Sequence, residues 1–476
     1  MTDIKPYITD IGIAVAGSVD SGKSTFVGVL TTGKLDDGDG SARLSVAKHP
    51  HEVQSKKTSD ITTKSLITKN NSAVTLFDLC GHEKYFKSTA YGISGYFPDY
   101  SFLIVGANKG ILPMTKQHIT LLLSMNIPII IIVTRYDITP QHIYQETIKM
   151  VQNYCRNIIK IPAEIINSPY IDSNNIESFK QEKIKYFNSN YFCEQNRQIS
   201  VPVITVSNKT GYYIDYINDI LSVLKPRNIW KNFDDDSTKQ IEDRCVNRII
   251  KKFINVDKSQ FLNPSNNSEH VFFIDMVYNP IGIGIVVSGI NRGGTINVGD
   301  TLLMGPFGKD FKEIRIKSMN NYVKQKIMSA GDHQRITIAI GTNDKDITKQ
   351  SIRRGMILIK SKDLIKKYLT WRFDAVITLF SHSATLKTGY APSLQIGHVR
   401  QSGRMVLNKD LNDDKDHIKI KEFANITFKF KQRPEYIEPF QTFIFRSGVI
   451  TNVVPLINDV DGKSDPLKSR FLKYLK

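Results

Sequence analysis

Cysteine and tryptophan are scarce in this sequence, with four and two copies among 476 residues. The cysteines (Cys80, Cys155, Cys193 and Cys245) stand far apart and form no C-x-x-C pair, a spacing that fits neither a zinc ribbon nor a disulfide framework. They read as free thiols of a reducing compartment, so a soluble, cytoplasmic protein is expected. Long hydrophobic runs are also missing. The longest aliphatic run, Ile127 to Val133, contains Pro128 and is too short to cross a bilayer. The first ten residues carry Asp3, Lys5 and Asp10 in place of an apolar signal core, so neither a membrane nor a secretory role is expected.

Acidic residues are in deficit, and unevenly. The formal net charge is +18. Residues 1–230 hold 24 Lys and Arg against 20 Asp and Glu, whereas residues 231–476 hold 40 against 26. A basic second half suits a polyanionic partner such as RNA, and it equally suits a lysine-rich solvated surface.

The rhythm of the chain changes twice. Up to about residue 230, short apolar runs (Ile11–Ala16, Ala73–Leu79, Phe102–Ala107, Ile129–Thr134, Val201–Val206) alternate with amphipathic stretches (Lys23–Leu30, Thr115–Met125, Pro140–Asn157, Tyr213–Leu224). Alternation of this kind predicts a mostly parallel sheet with helices on both faces. Residues 160–197, rich in Asn, Ser and Lys, read as a surface insertion. Residues 231–268 read as a polar linker with a helical stretch near Ile241–Phe253. Residues 269–367 and 368–458 read as two antiparallel β-barrels, from period-2 strands separated by glycine turns. Lys409–Lys419 reads as a charged loop, and residues 459–476 as a basic tail. The expected fold is an α/β P-loop domain followed by two β-barrel domains.

Four motifs fall at successive strand ends. Gly17-Ser18-Val19-Asp20-Ser21-Gly22-Lys23-Ser24 matches G-x-x-x-x-G-K-[ST] between a strand and a helix, and Thr25 follows in the helix. Its backbone N–H groups and the helix terminus cradle phosphates, Lys23 reaches the β- and γ-phosphates, and the Ser24 hydroxyl ligates Mg²⁺. Asp78-Leu79-Cys80-Gly81 places a carboxylate for a magnesium-bound water and a backbone N–H for the γ-phosphate. Thr134-Arg135-Tyr136-Asp137 puts the Asp137 carboxylate where guanine N1 and N2 donate; adenine would leave it unpaired. Ser207-Asn208-Lys209 supplies donors to the guanine carbonyl. The expected ligands are GTP and GDP with Mg²⁺.

These residues resemble the translational GTPases, the elongation factor Tu and elongation factor 1-alpha superfamily, and within it the group of GTP-binding proteins 1 and 2. The resemblance is carried by Val15–Gly40 (VAGSVDSGKSTFVGVLTTGKLDDGDG), Leu76–Ser88 (LFDLCGHEKYFKS) and Gly106–His118 (GANKGILPMTKQH), and more weakly by Ile285–Gly305 and Trp371–Arg404. It implies that His82, directly after Gly81, positions the attacking water in ribosome-stimulated hydrolysis. It implies that Val19 lies in the apolar gate beside that histidine and that Asp20 lies near a monovalent ion. Three departures stand out: Arg135 replaces the family's lysine, the magnesium-binding threonine of switch I is Thr58 with Thr62 as its rival, and the 160–197 insertion has no assigned role. The resemblance further implies a monomer that acts on the ribosome and carries aminoacyl-tRNA or other RNA, or a protein mimic of tRNA in ribosome rescue. A slow GTP-gated scaffold for RNA-decay factors is the non-enzyme alternative. Candidate RNA contacts are Arg292, Lys387, Arg400, Arg404 and Arg446.

Overall fold

A computed structural model of the chain describes residues 10–47, 58–170, 184, 187–192, 198–227, 270–379, 386–407, 417–418, 423–438, 443–445 and 448–455. The chain divides into two compact units, one of residues 1–93 and 97–227, the other of residues 94–96 and 228–476.

In the first unit, seven strands form one sheet: β1 (Asp10–Gly17), β2 (Thr62–Ile67), β3 (Ala73–Asp78), β4 (Tyr100–Gly106), β5 (Ile129–Thr134), β6 (Ala163–Ile165) and β7 (Val201–Thr205). Their order is β2-β3-β1-β4-β5-β7-β6, antiparallel only between β2 and β3. Every residue of β1, β3, β4, β5 and β7 is buried, which is why these strands read as continuous apolar runs and not as alternating ones. The order reverses around β1, so the carboxyl ends of β1, β3, β4 and β5 open on one crevice, where doubly wound sheets bind ligands. The first helix, α1 (Lys23–Thr32), buries Phe26, Val27, Val29 and Leu30 against the sheet. It stops at Gly33, whose φ of 70° lets its N–H turn back to the Val29 carbonyl. A one-turn helix, α2 (Ser41–Leu44), packs beside it. The strand β2, the short helix α2 and the helix Phe86–Gly95 are absent from the expected pattern.

Within the described residues of 160–197, the surface reading is corrected. Ala163–Ile165 is the edge strand of the main sheet, and Phe187 and Tyr191 are fully buried in the core with Ile166 and Phe192. Its polar composition hides this, because Asn and Ser separate the aromatic anchor Phe187 from Tyr191 and Phe192.

The second unit contains two barrels. In the first, Thr301–Phe307, Ile357–Ile359, Val271–Tyr278, Val286–Arg292, Arg335–Gly341 and Asp310–Asn321 pair antiparallel in a ring that closes between the last and the first. Phe272, Ile274, Ile314, Ile316, Ile336 and Ile338 fill it. In the second, Arg372–Leu379, Phe423–Phe430, Val399–Leu407, Ser393–Ile396, Phe443–Phe445 and Gly448–Pro455 close a six-stranded barrel around Phe373, Leu394, Met405 and Phe428. His417–Ile418 pairs with Leu386–Lys387, so the end of the expected charged loop is strand. The expected linker helix and the basic tail lie outside the described residues.

The RNA-contact reading of Arg292 is also corrected. Its guanidinium is largely buried, pairs with Glu438 and lies 5.2 Å over the Phe273 ring, which also stacks with His398. With Arg353 bonded to Glu435 at 2.8 Å and Gln401 to Glu435 at 2.7 Å, Arg292 ties one barrel to the next. Arg400, Arg404 and Lys387 are exposed, and Arg446 lies outside the described residues. Among the described residues no helix is long and apolar enough to cross a membrane.

Candidate nucleotide-binding site

The loop after β1 owes its shape to two glycines. Gly17 has φ 144°, and a Cβ there would lie 2.4 Å from the Ile104 carbonyl oxygen; Gly22, at φ 90°, starts α1. The Gly17 N–H donates to Nδ1 of His118 at 3.0 Å. His118 sits fully buried on the helix Pro113–Ser124. Burial pushes its pKa down to about 3, with the Lys23 charge acting the same way, so the ring stays neutral and able to accept. His118 ends the Gly106–His118 stretch, but the sequence assigns it no such support.

Lys23 is buried, and its ammonium donates to the Ser18 carbonyl at 2.8 Å. Burial lowers its pKa; Asp78, Cys80 and Asp20 oppose that and Arg43 reinforces it. Ser24 Oγ donates to Asp78 Oδ2 at 2.6 Å and lies 3.1 Å from Thr58 Oγ1. Three oxygen donors thus converge beside the loop, a set that suits a hard cation such as Mg²⁺. Thr62 instead lies in β2, opposite Asp78, with its hydroxyl buried and without a hydrogen-bond partner.

Gly81 stands over this group. A Cβ on it would meet Lys23 Nζ at 2.5 Å and Val19 N at 2.9 Å, so a side chain is excluded where a terminal phosphate is expected. His82 follows, half-buried, its Nδ1 accepting the Lys84 N–H at 3.1 Å and its ring edge-on to Tyr85. One pocket is lined by Val19, Asp20, Gly22, Lys23, Ser24, Thr25, Thr58, Gly81, His82, Arg135 and Arg43. Asp20 also faces Lys109 at 3.8 Å across an exposed gap. Arg43 was not among the residues expected from the sequence.

The base end is coupled to the loop directly. Thr134 Oγ1 donates to the Ser21 carbonyl at 2.7 Å, and the position a Cβ would take on Gly22 is 3.6 Å from Thr134 Oγ1 and 3.7 Å from Asn208 Nδ2. Ser207 Oγ accepts the N–H groups of Lys209 and Thr210, shaping the turn. Asn208 Oδ1 is buried without a hydrogen-bond partner, an acceptor that a ligand donor would satisfy. Arg135 takes a left-handed conformation, φ 64°, and Asp137 is exposed at the rim. The residues around 160–170 hold both base loops in place. The Asn167 side chain bonds the backbone N–H and carbonyl of Thr205, both at 2.8 Å, and the Tyr170 hydroxyl donates to the Thr139 carbonyl at 3.2 Å.

The wider comparisons agree with this arrangement. Residues 9–256 match the family model described as "Elongation factor Tu GTP binding domain". The chain is 29% identical to GTP-binding protein 1 of Xenopus laevis, covering 96% of this chain and 65% of that protein. Among solved structures it is similar to a bacterial selenocysteine-specific elongation factor, with TM-score 0.62, 16% identity, and coverage of 98% of this chain and 62% of that one. It is also similar to translation elongation factor SelB from Methanococcus maripaludis in complex with the GTP analogue GppNHp, with TM-score 0.59, 17% identity, and coverage of 96% and 81%. The chain therefore spans just under two thirds of the length of the first two. It belongs to the elongation factor Tu GTP-binding domain family of the translational GTPases.

Proposed function

We propose that this chain is a GTPase that binds GTP across the 17–24 loop, hydrolyses it when stimulated by a ribosome, and carries aminoacyl-tRNA in its GTP-bound state. The observation that carries the reading is the meeting of Lys23, Ser24, Thr58, Gly81 and His82 at one pocket, with Asp78 bonded to Ser24 and the guanine loops set against Gly22. In this reading Ser24, Thr58 and, through a water, Asp78 hold Mg²⁺, which when bound neutralises charge on the β- and γ-phosphates. Lys23 leaves the Ser18 carbonyl for the phosphates. The Gly81 N–H marks the terminal phosphate, and His82 orients the attacking water through its Nε2, since its Nδ1 is already engaged. Asp137 selects guanine, and Arg135 covers the base. The basic second half, with Lys387, Arg400 and Arg404 exposed, supports an RNA cargo.

The reading is tested by capture with the non-hydrolysable GTP analogue. Aminoacyl-tRNA retained with the analogue, released with GDP and weakened steeply by salt is the expected result. Retention of a protein partner in its place, or of RNA regardless of nucleotide, would contradict the cargo assigned here.

A further inference from the structure

We propose that Arg43 is a second phosphate-binding cation of this site, sharing the charge of the bound triphosphate with Lys23. This rests on the reading of the pocket as a GTP site and extends it to a residue outside its motifs.

Three observations support the assignment. The first is position: Arg43, half-buried on α2, lines the same pocket as Lys23, Ser24, Thr25 and Thr58. Its charge lies close enough to oppose that of the Lys23 ammonium. A guanidinium moreover presents a planar fork that matches phosphate oxygens.

The second is rigidity. Ala42 is buried beside α1, where Gly28 leaves no room: a Cβ there would lie 2.0 Å from the Ala42 carbonyl oxygen. The turn leading into α2 is held by its own carboxylates. Asp36 accepts the N–H groups of Gly38 and Ala42, both at 3.0 Å, and Asp37 accepts those of Asp39 at 2.8 Å and Ser41 at 3.2 Å. Arg43 thus projects from a fixed platform, which lowers the entropy lost when it binds.

The third is a connection to base recognition. The Asp36 N–H donates to the Asn208 carbonyl at 2.9 Å, Lys209 lies against Gly38, and Leu35 lies against Gly211. The loop that reads guanine therefore also sets the position of the platform that carries Arg43.

The test is equilibrium binding of the non-hydrolysable GTP analogue, GDP, and the matching xanthine nucleotides to the full chain. Wild type, Arg43→Ala and Arg43→Lys are compared at low and high salt. Loss of a charge-assisted phosphate contact in Arg43→Ala is expected to weaken the GTP analogue roughly 10- to 100-fold and to reduce its salt dependence. The preference for guanine over xanthine should stay within about 3-fold, because the base loops are untouched. Arg43→Lys, which keeps the charge, should retain more affinity than Arg43→Ala. Unchanged affinity in Arg43→Ala would overturn the proposal. So would a loss matched by an equal fall in guanine preference, which would make Arg43 a support of the base loop. A wild-type chain that binds no guanine nucleotide would overturn the proposed function and this inference together.

Discussion

A Cβ on residue 81 has nowhere to go: Lys23 Nζ, Ser18 C and Val19 N all lie within 2.9 Å of it. Gly81→Ala must therefore displace the lysine or the loop, and a loss of GTP affinity of about 10-fold or more is expected from titration with the GTP analogue. The rivalry between the two switch threonines has an equally local test. Thr58 faces Ser24 at 3.1 Å, whereas Thr62 is buried in β2. Thr58→Ala should raise the Mg²⁺ concentration needed for half-maximal GTP binding, and Thr62→Ala should leave it near the wild-type value; the reverse pattern would reassign the ligand. The motif residues were legible in the sequence because their chemistry fixes their spacing. Lys23 and Ser24 must follow a glycine turn, and Asp78 must end a neighbouring strand. Arg43 and His118 were not, because packing brings them to the loop. Arg43 arrives through the close approach of Gly28 and Ala42, and His118 through a helix lying under Gly17.

At the scale of the element, the parallel strands were the most legible features, since burial on both faces leaves an unbroken apolar run. The helix Phe86–Gly95 and β2 were missed: Phe86–Gly95 is interspersed with Ser, Thr and Gly, and β2 (TTKSLI) is largely polar and only part-buried along most of its length. The segment around 187 was misread for a related reason, as Asn and Ser surround its buried rings. Phe187 has no exposed surface, and Phe187→Ala should cost about 3–5 kcal/mol in denaturant unfolding. Were the segment a surface insertion, the change would be close to neutral. The helix bearing His118 gives a pH dependence. Unfolded, that histidine takes up a proton near pH 6.5. Folded, burial holds its pKa at about 3. Its contribution to stability is therefore complete above about pH 6.5 and is lost as pH falls towards 3. Thermal unfolding across this range should show a falling Tm, and His118→Gln should make the fall shallower. His398, also held at about 3 by burial, supplies a second share of the same sign.

For the whole molecule, the expected architecture of a parallel-sheet domain followed by two antiparallel barrels matches the folded chain, because the change from helical to alternating periodicity survives in the sequence. Partner surfaces were less legible. An arginine on a strand looks the same in a sequence whether it faces solvent, as Arg404 does, or a half-buried glutamate, as Arg292 does. The reading of the pocket as one that hydrolyses GTP, with His82 placing the water, makes a kinetic prediction. It is tested most directly by single-turnover release of the γ-phosphate from GTP, with and without ribosomes, in wild type and His82→Ala. Ribosome-stimulated release by the wild type is expected, with a loss of about 100-fold or more in His82→Ala and unchanged binding of the GTP analogue. Equal rates in the two proteins, or no release by the wild type under stimulation, would contradict it.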